Sequence, residues 1–317
     1  MLSLISSGAL ALPLMGLTPA AGSGWQVWQQ IGVADSYSIN NQIDGGSPAA
    51  MYGGPVENAN SATFTAGTSY MQLPVAAGGS CTFMALVQAV VNPTANNTSI
   101  VALGDSTISS TTLTSPAVAV INATTLTITA THAFLPGQPV TLAGWSGTNV
   151  NGTYNITAVN GTTSFTVTTS GASGTPTGGS VVSVVSGSHL AIVGVSTVPT
   201  MRASRAIAGS MVNASLIFSG SGAATNWNLL AVVFTSGVGW TLYNLTTGQS
   251  VSVSNAGTLT ASGANLKVGS NFSTYTGQSN IAWAAETSAA LALSDLQAIR
   301  TQLLGIMAAL STPITGF

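Results

Sequence analysis

NWNLLAVVFTSGVGWTLYNLTTGQSVSV, residues 226–253, holds three strand-length runs separated by two short glycine turns. In the first run Trp227, Leu229, Ala231 and Val233 alternate with Leu230, Val232 and Phe234. Successive side chains of a strand point to opposite faces, so both faces here are apolar. A strand of that kind has to be covered on two sides, which places it inside a sheet with a layer above and below. Gly237 and Gly239 supply a turn, and Trp240, Leu242, Tyr243 and Leu245 carry a second strand to Thr247 and Gly248. Val251 and Val253 then alternate with Ser250, Ser252 and Ser254, a strand with one face packed and the other wet.

The sequence on either side extends this pattern. Downstream lie residues 266–269, then GQSNIAWAAE (277–286), then a helical stretch beginning LALSDLQAIRTQL at residue 291. Upstream, ATFTAGTSYMQL (62–73) reads as a strand with a small loop before an exposed aromatic, and residues 81–91 as the next strand. In this order the elements resemble a laminin-G-like, concanavalin A-like jelly roll. The resemblance implies an all-β fold and brings no catalytic signature.

Between residues 116 and 187 the pattern changes to short Thr- and Val-rich strands. TLTITATHAFLPGQPVTLAGW (125–145) and NGTYNITAVNGTTSFTVTT (151–169) are similar to a small β-domain recurrent in bacteriophage structural proteins, with departures at Ala133 and Trp145. A domain can be inserted where the two flanking host strands stay adjacent, so residues 100–103 and 190–195 are expected to pair. The expected architecture is a jelly-roll β-sandwich made of residues 25–115 and 188–293. It carries a small inserted β-domain (116–187), an extended apolar N-terminal arm (1–24) and one C-terminal helix (294–310). Ser294 and Gln297 read as the capping box of that helix, with Leu296, Ile299, Leu303 and Leu310 on one face and Ile306 and Met307 beside them.

Charge is the compositional anomaly. Of 317 residues, 45% are apolar and 3% charged, where an ordinary soluble domain has roughly a quarter charged. A surface built from Ser, Thr, Asn, Gln and Gly, with a net charge of −2, resists association poorly. That favours a chain packed into an assembly, as a homo-oligomer and against neighbours held by the N-terminal arm. The four cations Arg202, Arg205, Lys267 and Arg300 are too few and too scattered to neutralise phosphates, so nucleic acid is excluded as a partner. Arg202 and Arg205 read either as strand-edge solubilisers or as carboxylate partners across an interface. Prolines and glycines interrupt the apolar start, which argues against a membrane span there; a signal peptide is the other reading of it.

Titratable groups are scarce. Cys81, the single cysteine, reads as a buried small hydrophobe, and His132 and His189 as structural. No two acids lie closer than nine positions, so the paired carboxylates of a glucanase strand are missing; a pair assembled in space, Asp105 with Glu286, is the one route to a polysaccharide hydrolase. No cofactor is implied except calcium, for which Asp35, Asp44 and Asp105 are the candidate ligands. Tyr37, Tyr52, Tyr70, Trp145 and Tyr275 stand in loop-like text and are the candidates for contact with a glycan. Together the two resemblances imply a non-enzymatic virion protein of a bacteriophage. One role is a tail or baseplate accessory component with a lectin-like surface for host attachment, and the alternative is a capsid decoration protein without a ligand.

Overall fold

In the computed structural model the described residues are 24–31, 46–93, 99–195, 198–218, 223–272, 275–310 and 313–317. The expected N-terminal arm, except Gly24, lies outside the described residues, as do Asp35, Tyr37 and Asp44. The chain begins with β1 (Trp25–Gln30), β2 (Ala50–Tyr52), β3 (Val56–Asn58), β4 (Ser61–Thr65), β5 (Tyr70–Ala76), β6 (Cys81–Ala89) and β7 (Ser99–Gly104). Next come β8 (Ala117–Asn122), β9 (Thr125–Thr129), β10 (Pro139–Ala143), β11 (Gly152–Asn160), β12 (Ser164–Thr168) and β13 (Ser180–Ser183). Then follow β14 (Ser188–Val195), β15 (Val198–Ile207), β16 (Ser210–Ile217), β17 (Asn228–Thr235), β18 (Gly239–Asn244), β19 (Gln249–Ser254), β20 (Asn265–Gly269) and β21 (Gln278–Thr287). Helix α1 spans Leu293–Ala308.

These strands form an all-β sandwich. One sheet has the order β19-β18-β17-β6-β21-β4-β3, with β1 added on β21; the other runs β16-β15-β14-β7-β20-β5-β2. The apolar alternation of β17 explains why there are three layers. Leu230, Val232 and Phe234 face the core between the sheets, where they join Phe83, Leu242, Leu190 and Ile192. Leu229, Ala231 and Val233 face outward and are roofed by α1 through Leu296, Ile299, Leu303 and Met307, together with Trp28 and Trp283. Each such side chain removed from water contributes about 1.5–3 kcal/mol, so the helix is part of the core and not an ornament on the rim. β19 keeps Val251 and Val253 half-buried and its serines exposed or nearly so.

Two local expectations change. Ser294 does not cap the helix; the N-cap is Ala292, two residues earlier. The backbone N–H of Ala292 donates to Asp295 Oδ2 at 3.1 Å, so a carboxylate, favoured at the positive helix end, does what Gln297 was expected to do. The small loop 66–69 hands the chain from β4 in one sheet to β5 in the other, but the aromatic after it, Tyr70, is 3% exposed and stacks on Tyr52 with ring centroids 4.9 Å apart.

Residues 117–183 make a separate six-stranded sheet, β13-β10-β11-β12-β9-β8, around its own apolar cluster of Leu126, Ile128, Val140, Phe165 and Val167. Its flanking strands β7 and β14 pair antiparallel, with His189 opposite Gly104 and Ile192 opposite Ile100. Close approach at this seam depends on missing side chains. A Cβ on Gly104 would come within 2.4 Å of the His189 Cβ, and one on Gly269, which has φ +84°, would come within 2.3 Å of the Phe64 ring.

Gly269→Ala is therefore expected to cost about 2–4 kcal/mol, from a left-handed φ and an overpacked core together. Urea denaturation of this variant would show the lowered midpoint; a midpoint unchanged from wild type would refute the close packing of β20 on Phe64.

Candidate functional site

Asp105, His189, Arg205 and Lys267 are buried near where the 117–183 unit joins the sandwich. Asp105 follows β7 directly, and its backbone N–H donates to the Ser188 carbonyl at 3.0 Å. Its Oδ1 accepts from the Ser188 N–H at 2.8 Å and its Oδ2 from the Ser262 hydroxyl. Beside it runs a second chain of hydrogen bonds. Ser106 Oγ meets His189 Nδ1 at 2.5 Å, Asn271 Nδ2 donates to Ser106 Oγ at 2.9 Å, and the Tyr275 hydroxyl meets His189 Nε2 at 3.0 Å. A serine against an imidazole invites a nucleophile reading. Here, however, both are 0% exposed, and neither lines the groove described below. Burial, reinforced by the Arg202 charge, pushes the His189 pKa down to about 3, so the ring is neutral and holds loops together.

Arg205 corrects the sequence reading of the arginines. It is 3% exposed, too deep in the sandwich to solubilise a strand edge. Its guanidinium donates to the Gly78 and Gly79 carbonyls, and its Nε to Ser188 Oγ at 3.1 Å; the group lies 3.9 Å over the Phe234 ring. Arg202, half-buried on the other face, donates from Nε to Ser215 Oγ at 3.3 Å. Lys267 is buried outright on β20. Its amine has no hydrogen-bond partner among the described residues and sits 3.8 Å from the centre of the Phe272 ring, beneath the Pro136-Gly137 turn of the inserted unit. Burial lowers its pKa to about 7, with Asp105 pulling the other way. On the core face of β21, Glu286 is raised to about 8 by burial, and its Oε2 has no partner among the described residues.

The aromatic candidates for glycan contact do not form a surface. Trp145 is 7% exposed, closes the apolar cluster of the inserted unit and donates from Nε1 to the Ser180 carbonyl at 3.0 Å. Tyr275, also 7% exposed, is held by His189, and Tyr70 is covered by Tyr52. Tyr52 alone of the described four shows a large exposed area, 41%. Polarity in a loop does not reveal which way a ring turns, and each buried ring here turned inward to fill a gap. For calcium, Asp105 has both oxygens occupied by Ser188 and Ser262, and among the described residues no three His, Cys, Asp or Glu side chains gather. Asp105 and Glu286 are 2% and 1% exposed, so this pair offers a polysaccharide nothing it could reach.

The concave surface lies elsewhere. Between the β18–β19 turn and the flank of α1 runs an open groove of about 460 Å³, within the usual range for ligand sites. Tyr243, Thr247 and Gln249 form one wall; Gln297, Arg300 and Thr301 form the other. Asn244 stiffens the first wall, its Oδ1 accepting from the Thr246 and Thr247 N–H groups at 3.0 and 3.3 Å and its Nδ2 donating to Asn228 Oδ1 at 3.1 Å. Arg300 Nη2 donates to the Phe317 carbonyl at 2.9 Å, which fixes the guanidinium in the second wall. The result is a half-buried tyrosine among amides, hydroxyls and one cation, with no carboxylate in the lining. In the sequence, Tyr243 reads as strand filling and Gln297 as a cap, and only packing of the helix on the sheet brings them together.

No family model and no curated protein matches this sequence. Solved structures of similar fold include the receptor-binding domain of botulinum neurotoxin D (8% identity, TM-score 0.47, covering 89% of this chain and 53% of that one). The corresponding domain of the C/D mosaic serotype gives 8% identity and a TM-score of 0.48, over 89% and 52% of the two chains. The serotype D ligand-binding domain, solved in complex with N-acetylneuraminic acid, gives 9% and 0.47, over 89% and 52%. The chain spans about half the length of these proteins, and the likeness is one of fold.

The buried amine gives a pH test. Lys267 titrates near 10.5 when unfolded and about 7 when folded. Between those values the unfolded chain holds the extra proton, so stability rises with pH. From pH 8 to 9 the lysine contributes a gain of about 1 kcal/mol, offset in part by Glu286, which gives up its proton near 8 in the folded chain, and by Cys81, whose thiol ionises from 9.0 when unfolded and is raised by burial. Lys267→Met should abolish that gain and be the more stable protein at pH 7, whereas Glu286→Gln should steepen the slope. Urea melts at the two pH values decide, and a gain that survives in Lys267→Met would show that the amine is solvated.

Proposed function

We propose that this chain is a non-enzymatic, lectin-like component of a bacteriophage particle, in its tail or baseplate, which offers the β18–β19/α1 groove to a saccharide of the host surface. The observation that carries the ligand half is the lining of the groove. Sugars present hydroxyls that need many neutral donors and acceptors, and a patch of C–H that stacks on an aromatic face. Tyr243 with Thr247, Gln249, Gln297 and Thr301 supplies both. The rigid Asn244 turn supports binding as well, because a preformed wall costs less ordering on association. Support for the virion half comes from the sequence: a surface with almost no charge and the resemblance of residues 124–167 to a phage structural domain.

Immobilised glycans probed with the full chain test the reading. Binding to at least one saccharide is expected, with Tyr243→Ala weakening it about tenfold, the 1.4 kcal/mol scale of one lost stacking contact. Gln297→Trp, which fills the groove from an exposed helix position, should abolish it. Saccharide binding untouched by either change would move the site elsewhere on the sandwich.

A further inference from the structure

We infer that the saccharide taken by this groove is an acidic one, whose carboxylate pairs with Arg300; this rests on the groove being the saccharide site. Four observations lead to the pairing. First, Arg300 is the one charged side chain among the described residues that line the groove. The nearest carboxylate along α1, Asp295, is one turn and more away and is engaged by the Ala292 N–H at the helix start. Second, the guanidinium is positioned before any ligand arrives, because Nη2 is tied to the Phe317 carbonyl. Nε is buried, so the remaining N–H groups on Nη1 and Nη2 are the donors left for a ligand, and two neighbouring N–H groups are what a carboxylate takes bidentately.

Third, the field of this cation is little contested. The chain has ten formal charges in all, four positive and six negative, and two of the other three cations, Arg205 and Lys267, are buried in the sandwich. Fourth, the remaining lining suits a sugar ring better than a peptide carboxylate or a free anion. Tyr243 stands on the opposite wall, and Gln249, Gln297 and Thr301 can bracket hydroxyls, so charge is read at one end of the ligand and ring shape at the other. Phosphate or sulfate would satisfy the arginine but leave the tyrosine and the amides unused.

The experiment uses the full chain and two sets of probes: oligosaccharides ending in glucuronic acid or N-acetylneuraminic acid, and neutral ones ending in glucose or galactose. Affinities are measured by calorimetry at low and moderate salt. Wild type is expected to prefer one of the acidic probes at least tenfold, and the preference should shrink as salt rises. Arg300→Gln should erase the preference, and Arg300→Lys should recover part of it, because the charge remains and the fork is lost. Thermal melts of both variants show whether loss of the Phe317 contact has unfolded the helix; if Arg300→Gln melts early, the Lys variant and the salt dependence decide. A neutral saccharide that binds wild type, is lost in Gln297→Trp and is indifferent to Arg300→Gln would overturn the acidic assignment and leave the groove reading standing. No binding of any saccharide would overturn both.

Discussion

Everything in this fold follows from β17 having no face that can meet water. Leu230, Val232 and Phe234 require a second sheet; Leu229, Ala231 and Val233 require a third layer, and α1 is the element that supplies it. Because β17 lies between β6 and β18, the same demand passes along the sheet to Met84, Leu86 and Trp283. The helix is thus held by the area it covers, and its polar flank has one possible neighbour, the turn of the β18–β19 hairpin. A groove at that place is a by-product of covering a two-faced strand.

Scarcity of charge has the opposite effect inside. A chain with ten formal charges would be expected to spend them on its surface, yet Asp105, Arg205, Lys267 and Glu286 are all nearly or wholly buried. Burial of a charge is costly unless hydrogen bonds replace water. Arg205 meets that requirement with backbone carbonyls and a phenyl face, and Asp105 with a serine hydroxyl and an amide. Lys267 and Glu286 each keep a polar atom without a partner among the described residues, and burial moves the pKa values of all four toward the neutral form. The first pair specifies loop positions, and the second pair fills space at a cost to stability.

The fold was more legible in the sequence than the site. Period-two alternation in residues 227–234 and 250–254 reports a strand and both its faces, and the apolar spacing of Leu296, Ile299 and Leu303 reports a helix, because these patterns are local and dictated by burial. The pairing of residues 100–103 with 190–195 was also readable from where the sandwich pattern stops and resumes. Ring direction was not. Tyr70, Trp145 and Tyr275 occur in polar text, and whether such a ring faces water depends on Tyr52, the Val181 cluster and His189, partners between 18 and 86 positions distant. The cap was misread for a smaller reason: Ser294 and Asp295 are adjacent, and both are good helix-start residues. The helix begins two residues before the start read from Ser294, which puts Asp295 rather than Gln297 at the third helical position.

The junction of the two cores is held by buried hydrogen bonds. The inserted unit is connected through two strand ends, and Asp105, Ser188 and Ser262 draw three separate segments onto one carboxylate at that point. Gln138 of the inserted unit reaches Thr107 on the entering segment at 3.4 Å, and Ser186 and Thr107 bridge the entering and leaving segments. A pair of flexible linkers would let the unit swing, whereas this seam of buried hydrogen bonds fixes it over β20, with the Pro136-Gly137 turn lying on Lys267. The groove is on the opposite sheet, under α1. The two faces of the sandwich thus differ: one carries the second unit, and the other presents a polar concavity in which Arg300 is the one charged lining residue among those described.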